Sequence, residues 1–430
     1  MTPDPSAGNP SASSEPSEPP EPSASSEPSA SSEPSASPAS PASDAPEASG
    51  AAPDAAESVR SLELFFDLVF VFTITQIAGV LAEHPDLGGL ARSALLLTIT
   101  WWMYGGFAWL TNALDLERTG PRLHLLLGTA GFFVMSLAVP RASGPGPWGV
   151  VFGAAYLAVV AVHFVGFLGT SGQRGIHRIG PYNIASALVV LGAGFVPAEQ
   201  RAWVWLLACL MEWVTPFLSG VGGFTVGVGH FVERHGLAVI IVLGESITEV
   251  GAAASRLDDL TTVLVGSLFA LAATAAMWWL YFDREEEDSA ALLERIPAER
   301  RPHAALWSFG YAYLVLIFGI AVTAVGMQKS LESFTHPLHA LSAVLLPLGV
   351  ALFLLGMTCF HRALADDWPL RRLVAAVAVL AAGVPALRWS GGGTALAVTT
   401  ALLVGLVLWE RQARVRPQPG SPAPFRSLDA

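Results

Sequence analysis

The sequence predicts an all-α integral membrane protein, a polytopic helical bundle of about 12 transmembrane helices. Three observations carry this. Of 430 residues, 52% are hydrophobic and only 13% charged, a balance that belongs to membrane chains rather than soluble domains. Apolar runs of membrane length follow one another at short intervals from Leu62 to about Glu410. Each has roughly 20 residues, enough at about 1.5 Å apiece to cross a hydrocarbon core of about 30 Å. Finally, 17 of the 23 Lys and Arg fall in alternate loops, on the side of the chain's N-terminus. The positive-inside rule then puts both termini in the cytoplasm.

Residues 1–58 come first and are of a different kind. Ser, Pro, Ala and Glu dominate, with SASSEPS recurring at 11, 23 and 29, and the first 60 residues hold ten acids against one Arg. Such a segment cannot bury enough apolar surface to offset its ordering entropy, so a disordered cytoplasmic tail is expected there. The net charge of −12 mostly reflects this tail. A transmembrane domain is expected over 59–412 and a short cytoplasmic tail over 413–430. The twelve spans are expected near 62–82, 93–113, 122–140, 148–169, 179–197, 201–218, 236–254, 260–282, 303–327, 338–359, 370–387 and 392–409. Two Cys, both in apolar runs, point to packing rather than to a disulfide or metal framework.

The first span carries Glu63 and Asp67, four residues apart and therefore on one helical face. Carboxylates inside a membrane are costly and mark functional positions by default. Glu63 is expected near the headgroups and Asp67 deeper. Counted from the cytoplasmic ends of their spans, Asp67, His163, Glu212 and Glu245 fall roughly 8–14 Å deep. That shared depth predicts a polar vestibule open to the cytoplasm. The seventh span adds Glu249, again four residues beyond Glu245, with Thr248 beside them. A buried polar pair of this kind can also do no more than fix helix packing.

The intervening segments read more plainly. HFVERHG at 230–236 is expected before the seventh helix, with its two His capping the helix or pairing with headgroups rather than binding metal. The glycine-rich run 219–229 lacks the Lys-Ser/Thr of a phosphate loop and reads as a linker. The acids at 283–288 read as a solvated linker. The last three spans carry almost no ionisable residue and look like scaffold or an oligomer interface.

ELFFDLVFVFTITQIA at 63–78 and HFVERHGLAVIIVLGES at 230–246 closely resemble the two signatures of the bacterial low temperature requirement A protein family. The resemblance runs from Arg60 to about Glu410 and implies a multi-pass protein of a bacterial plasma membrane. It supplies no biochemical activity. A more distant similarity is to two-repeat cation channels with a Phe-Ser-Asp signature. Here the element is Phe65-Phe66-Asp67, without the Ser, and the seventh span has Gly244-Glu245-Ser246. It goes with a chain of two six-helix halves.

The leading expectation is transport or permeation of a proton or small cation, handled by Asp67, Glu245 and Glu249. Glu63, His163 and Glu212 would line the route, and Arg60 or Arg234 would supply counter-charge. A non-transporting membrane factor that supports envelope or partner-protein function in the cold is the alternative. An enzyme is not expected, because no nucleophile, metal cluster or cofactor motif accompanies the carboxylates. No cofactor or nucleic-acid partner is implied. The lipid bilayer is the expected partner, and a homo-oligomer remains open.

Overall fold

The computed structural model describes residues 61–415 except 366; the expected tail at 1–58, Arg60 and residues 416–430 lie outside the described residues. Among the described residues there is no strand. The helices are α1 (Ser61–Glu83), α2 (Leu87–Thr111), α3 (Thr119–Ala142), α4 (Trp148–Gly166), α5 (Gln173–Ala193), α6 (Ala198–Ser219), α7 (Val228–Ala254), α8 (Leu260–Phe282), α9 (Glu285–Arg295), α10 (Arg301–Ala305), α11 (Tyr313–Glu332), α12 (Leu345–Ala365), α13 (Leu370–Trp389) and α14 (Gly392–Val415). A π-helical segment, Leu306–Ala312, joins α10 to α11, and a short 3-10 turn at Ala340–Ala343 precedes α12.

Each of the twelve expected spans falls on a helix, and ten helical stretches among the described residues are long and apolar enough to cross a membrane. The long helices outside that set are α2 and α5. Their composition explains this: α2 holds three Trp, a Tyr and four Gly, and α5 begins with Arg174, His177 and Arg178. Both pack within the bundle, α2 against α1 and α6 and α5 against α4 and α6. Side-chain caps set two helix starts outside the hydrocarbon. Asp86 accepts from the Gly89 amide at 2.8 Å and Asp259 from the Thr262 amide at 2.8 Å, which holds both carboxyls below their ordinary range.

Two boundaries differ from the sequence expectation. Helix α7 begins at Val228, so HFVERHG lies within its first three turns rather than in a preceding loop. The acidic run is not a solvated linker either. It opens α9, and Glu285 is buried against Arg372 of α13 at 2.7 Å and His361 of α12 at 3.1 Å. Arg372 also reaches Glu410 of α14 at 3.0 Å, so this network ties four helices together.

The chain folds as two six-helix halves with the same order of contacts. In the first, α1 packs on α2 and α3, α2 on α6, α3 on α4, α4 on α5 and α5 on α6. In the second, α7 packs on α8 and α11, α8 on α14, α11 on α12, α12 on α13 and α13 on α14. The halves meet mainly where α1 lies against α7 and α11. Six being even, α1 and α7 start at the same end of the bundle, as in a parallel repeat.

The closest helix pair is α11 with α12, where glycines seven residues apart on each helix let the backbones touch. A Cβ on Gly319 would lie 2.3 Å from the Phe353 nitrogen, and one on Gly349 would lie 2.3 Å from the Thr323 nitrogen. Small residues are what permit such approach between membrane helices, where packing and not hydrophobicity drives association. Gly349→Val should therefore lower the melting temperature of the detergent-solubilised protein by several degrees or more, the overpacking costing about 1–3 kcal/mol. Gly244→Ala on α7, with nothing within 4 Å of the new methyl, should melt within about a degree of the parent.

Candidate functional site

The acids of α1 meet the bases of α7 at the junction of the two halves. Glu63 Oε2 lies 2.9 Å from His230 Nε2, and Glu63 Oε1 accepts from Arg234 Nη1 at 3.0 Å. Arg234 Nη2 donates to Asp67 Oδ1 at 3.2 Å. The same guanidinium donates to Thr111 Oγ1 at the end of α2, and its Cζ sits 5.2 Å from the Phe66 ring centre and 5.8 Å from that of Tyr104. Glu63, Asp67 and Arg234 each have zero relative exposure. Glu63 is thus a buried member of the network.

The register of this seam is regular. His230 follows Glu63 by 167 positions, and Arg234 follows Asp67 by 167. The same offset carries the start of α1 onto the start of α7. Corresponding positions of the two halves therefore face one another, acidic in the first half and basic in the second. On each helix the two groups are four residues apart, so both pairs share one contact face. The pairing is imperfect: Asp67 Oδ2 and Arg234 Nε are buried without a hydrogen-bond partner. Among the described residues, the two carboxylates share the Arg234 guanidinium, and Glu63 also meets the His230 ring.

The remaining expected site residues lie elsewhere, so the vestibule of shared depth is corrected. Glu212 belongs to a separate cluster within the first half, where its Oε1 accepts from Tyr156 at 2.5 Å and from Ser186 at 2.9 Å. Glu245 lies eleven residues past Arg234, about 16 Å further along α7. It cannot share a layer with Asp67, and the position matching Asp67 in the second half is Arg234. The depth estimate failed because it counted α7 from residue 236. Glu245 and Glu249 are half-buried beside an open stretch of α7 in which Gly244, Ile247 and Thr248 are exposed. His163 sits against Gly106 and lines a cavity rather than the seam. Arg60 is outside the described residues.

The sequence expectation missed His230 as a partner of Glu63, and it missed the cavity. The cavity has a volume of about 80 Å³ and lies between α2, α4, α5, α7, the π-helical segment and the loop after α6. Among the described residues no group of three or more His, Cys, Asp or Glu could hold a metal ion.

The geometry of the seam makes a quantitative demand. Arg234→Met removes the guanidinium that both buried carboxylates share, and losing one side of a buried pair costs roughly 3–5 kcal/mol. The triple variant Glu63→Gln, Asp67→Asn, Arg234→Met removes the uncompensated charge. Its melting temperature in detergent should recover most of what Arg234→Met loses.

Comparison with known proteins agrees with the two signatures. The family model described as bacterial low temperature requirement A protein (LtrA) matches residues 58–408. An uncharacterized protein, RA0937 of Rhizobium meliloti (strain 1021), is 30% identical over 371 residues, covering 81% of this chain and 88% of that protein. No solved structure matches the chain. The helical membrane architecture, the acidic signature on α1 and the basic signature on α7 thus stand in one family, and the chain belongs to the bacterial low temperature requirement A proteins.

Proposed function

We propose that the protein is a proton-linked membrane transport protein in which the α1–α7 seam is both the contact between two moving halves and the place where a proton is exchanged. One observation carries this: four ionisable side chains from two corresponding helices meet, almost wholly buried, across the junction of the six-helix halves. A junction meant only to hold would be at least as stable if filled with apolar side chains, because desolvating charges offsets much of their attraction. Charges at such a plane instead make its closure depend on protonation. Placing a proton on Asp67 or Glu63 weakens the hold on Arg234. The Lys and Arg asymmetry supports a seam on the cytoplasmic side in this reading.

The test is proton flux into liposomes containing a trapped pH-sensitive dye, driven by an imposed membrane potential. Wild-type protein should carry flux well above empty liposomes, and Asp67→Asn should reduce it at least ten-fold at equal incorporation. Wild-type flux no greater than that of empty liposomes, or unchanged flux in Asp67→Asn, contradicts the proposal.

The complete burial of the seam favours one other reading, a non-transporting membrane factor whose seam serves only as a latch. In that case Asp67→Asn lowers the melting temperature and has no functional defect beyond that loss.

A further inference from the structure

The cavity beside the seam has the properties of a small-molecule site. Its walls are largely aromatic: Trp101, Trp109, Phe167, Phe231 and Phe309 all line it. Two of these rings are held by their neighbours in the wall. Trp101 Nε1 donates to the Gly310 carbonyl at 2.8 Å, and the π-helical segment that contains Gly310 supplies that carbonyl to the α2 side chain. Phe231 packs on Trp109 and Phe309, with ring centres 5.4 and 5.2 Å apart.

Three polar side chains complete the lining. His163 is only 4% exposed, and neither of its ring nitrogens has a hydrogen-bond partner. A buried imidazole normally satisfies at least one nitrogen; the polar group nearest this ring is the Gly106 backbone, so at least one ring nitrogen is left to offer a guest. Asn183 accepts from Trp102 Nε1 at 3.2 Å through its oxygen and retains its amide donors. His235 Nδ1 lies 2.8 Å from the Phe231 carbonyl and must carry a proton to bond there, which leaves Nε2 as the acceptor of the neutral ring. No Asp, Glu, Lys or Arg lines the cavity. A charged guest would therefore be desolvated without a counter-ion, at high cost. The volume of about 80 Å³ admits a handful of waters or one ring-sized molecule.

We propose that this cavity binds a small neutral ring compound bearing one hydrogen-bonding group, the ring lying among the aromatic walls and the polar group reaching Asn183 and His163. The loop between α6 and α7 covers it. Phe224 in that loop packs on Trp109 and Phe167, with ring centres 5.7 and 5.3 Å away, and rests on Gly175 so closely that a Cβ there would lie 2.5 Å from its ring. Positive φ angles at Gly220 (69°) and Gly223 (91°) give the loop the turns that deliver Phe224 there. The glycine-rich run is thus a cover for the cavity. This site does not depend on whether the seam moves.

Calorimetric titration of the purified protein in detergent tests the proposal with three probes of one ring size: phenol, toluene and phenyltrimethylammonium. Phenol should bind saturably and at least five-fold more tightly than toluene, and the cation should not bind. Asn183→Leu and His163→Leu should each weaken phenol binding at least five-fold. Phe224→Ala, on the surface loop, should speed phenol association and dissociation in stopped-flow and so tests the same site if the inner variants do not fold. Absence of saturable phenol binding, equal binding of toluene, preferred binding of the cation, or phenol binding indifferent to all folded variants overturns the proposal. None of these measurements uses a gradient, so they stand or fall apart from proton flux.

Discussion

The structure depends on keeping one cation, Arg234, in a place from which water is excluded. A guanidinium cannot shed its proton in a protein, so it must be surrounded by acceptors and ring faces wherever it is buried. Two carboxylates from α1, a hydroxyl from α2 and the faces of Phe66 and Tyr104 provide them. These groups lie on different helices of the first half, while Arg234 belongs to the second. Satisfying one side chain therefore sets the register of α7 against α1 and α2 and brings the two halves together. Hydrophobic packing alone, which is weakly specific between membrane helices, would leave that register free.

The same stretch of α7 links the seam to the cavity. Arg234 and His235 are neighbours about 100° apart on the helix, so one points to the α1 acids and the other to the aromatic cluster. His235 has Phe231, Phe309 and Tyr313 around it at ring-centre distances of 4.4, 4.8 and 5.5 Å. Tyr104 touches both environments, lying beneath Arg234 and 6.3 Å from His235. A shift of α7 against α1 therefore moves a wall of the cavity as well. The π-helical segment packs against this wall through Phe309, and its looser backbone hydrogen bonding provides a place where such a shift can be absorbed.

Much of the fold was legible because span length and loop charge are imposed by the bilayer and are visible in any run of residues. Helices such as α1 and α12 follow from their apolar length alone. The candidate site was legible in part. Asp67 and Glu63 stood out as carboxylates in an apolar helix, and Arg234 was picked as counter-charge. His230 was not matched to Glu63 because HFVERHG looks too polar to be membrane helix, although its polarity is absorbed by the facing acids. Had the chain been compared with itself at an offset of 167, Glu63-x3-Asp67 would have met His230-x3-Arg234 directly. Depth along a helix could not separate Glu212, His163 and Glu245 from the seam, because azimuth and neighbour identity are set by packing. The burial of Glu285 was hidden for a similar reason: its partners Arg372 and His361 lie on helices more than 70 positions away.

The central claim is that the α1–α7 contact opens and closes with protonation. Its most direct measurement is the distance distribution between spin labels at Leu68 and Ile240, exposed positions on α1 and α7, in proteoliposomes equilibrated across a series of pH values. The account predicts two distances whose populations exchange with pH, and a population that no longer responds to pH when Asp67→Asn and His230→Gln are combined. A single, unchanging distance across the pH series would contradict it.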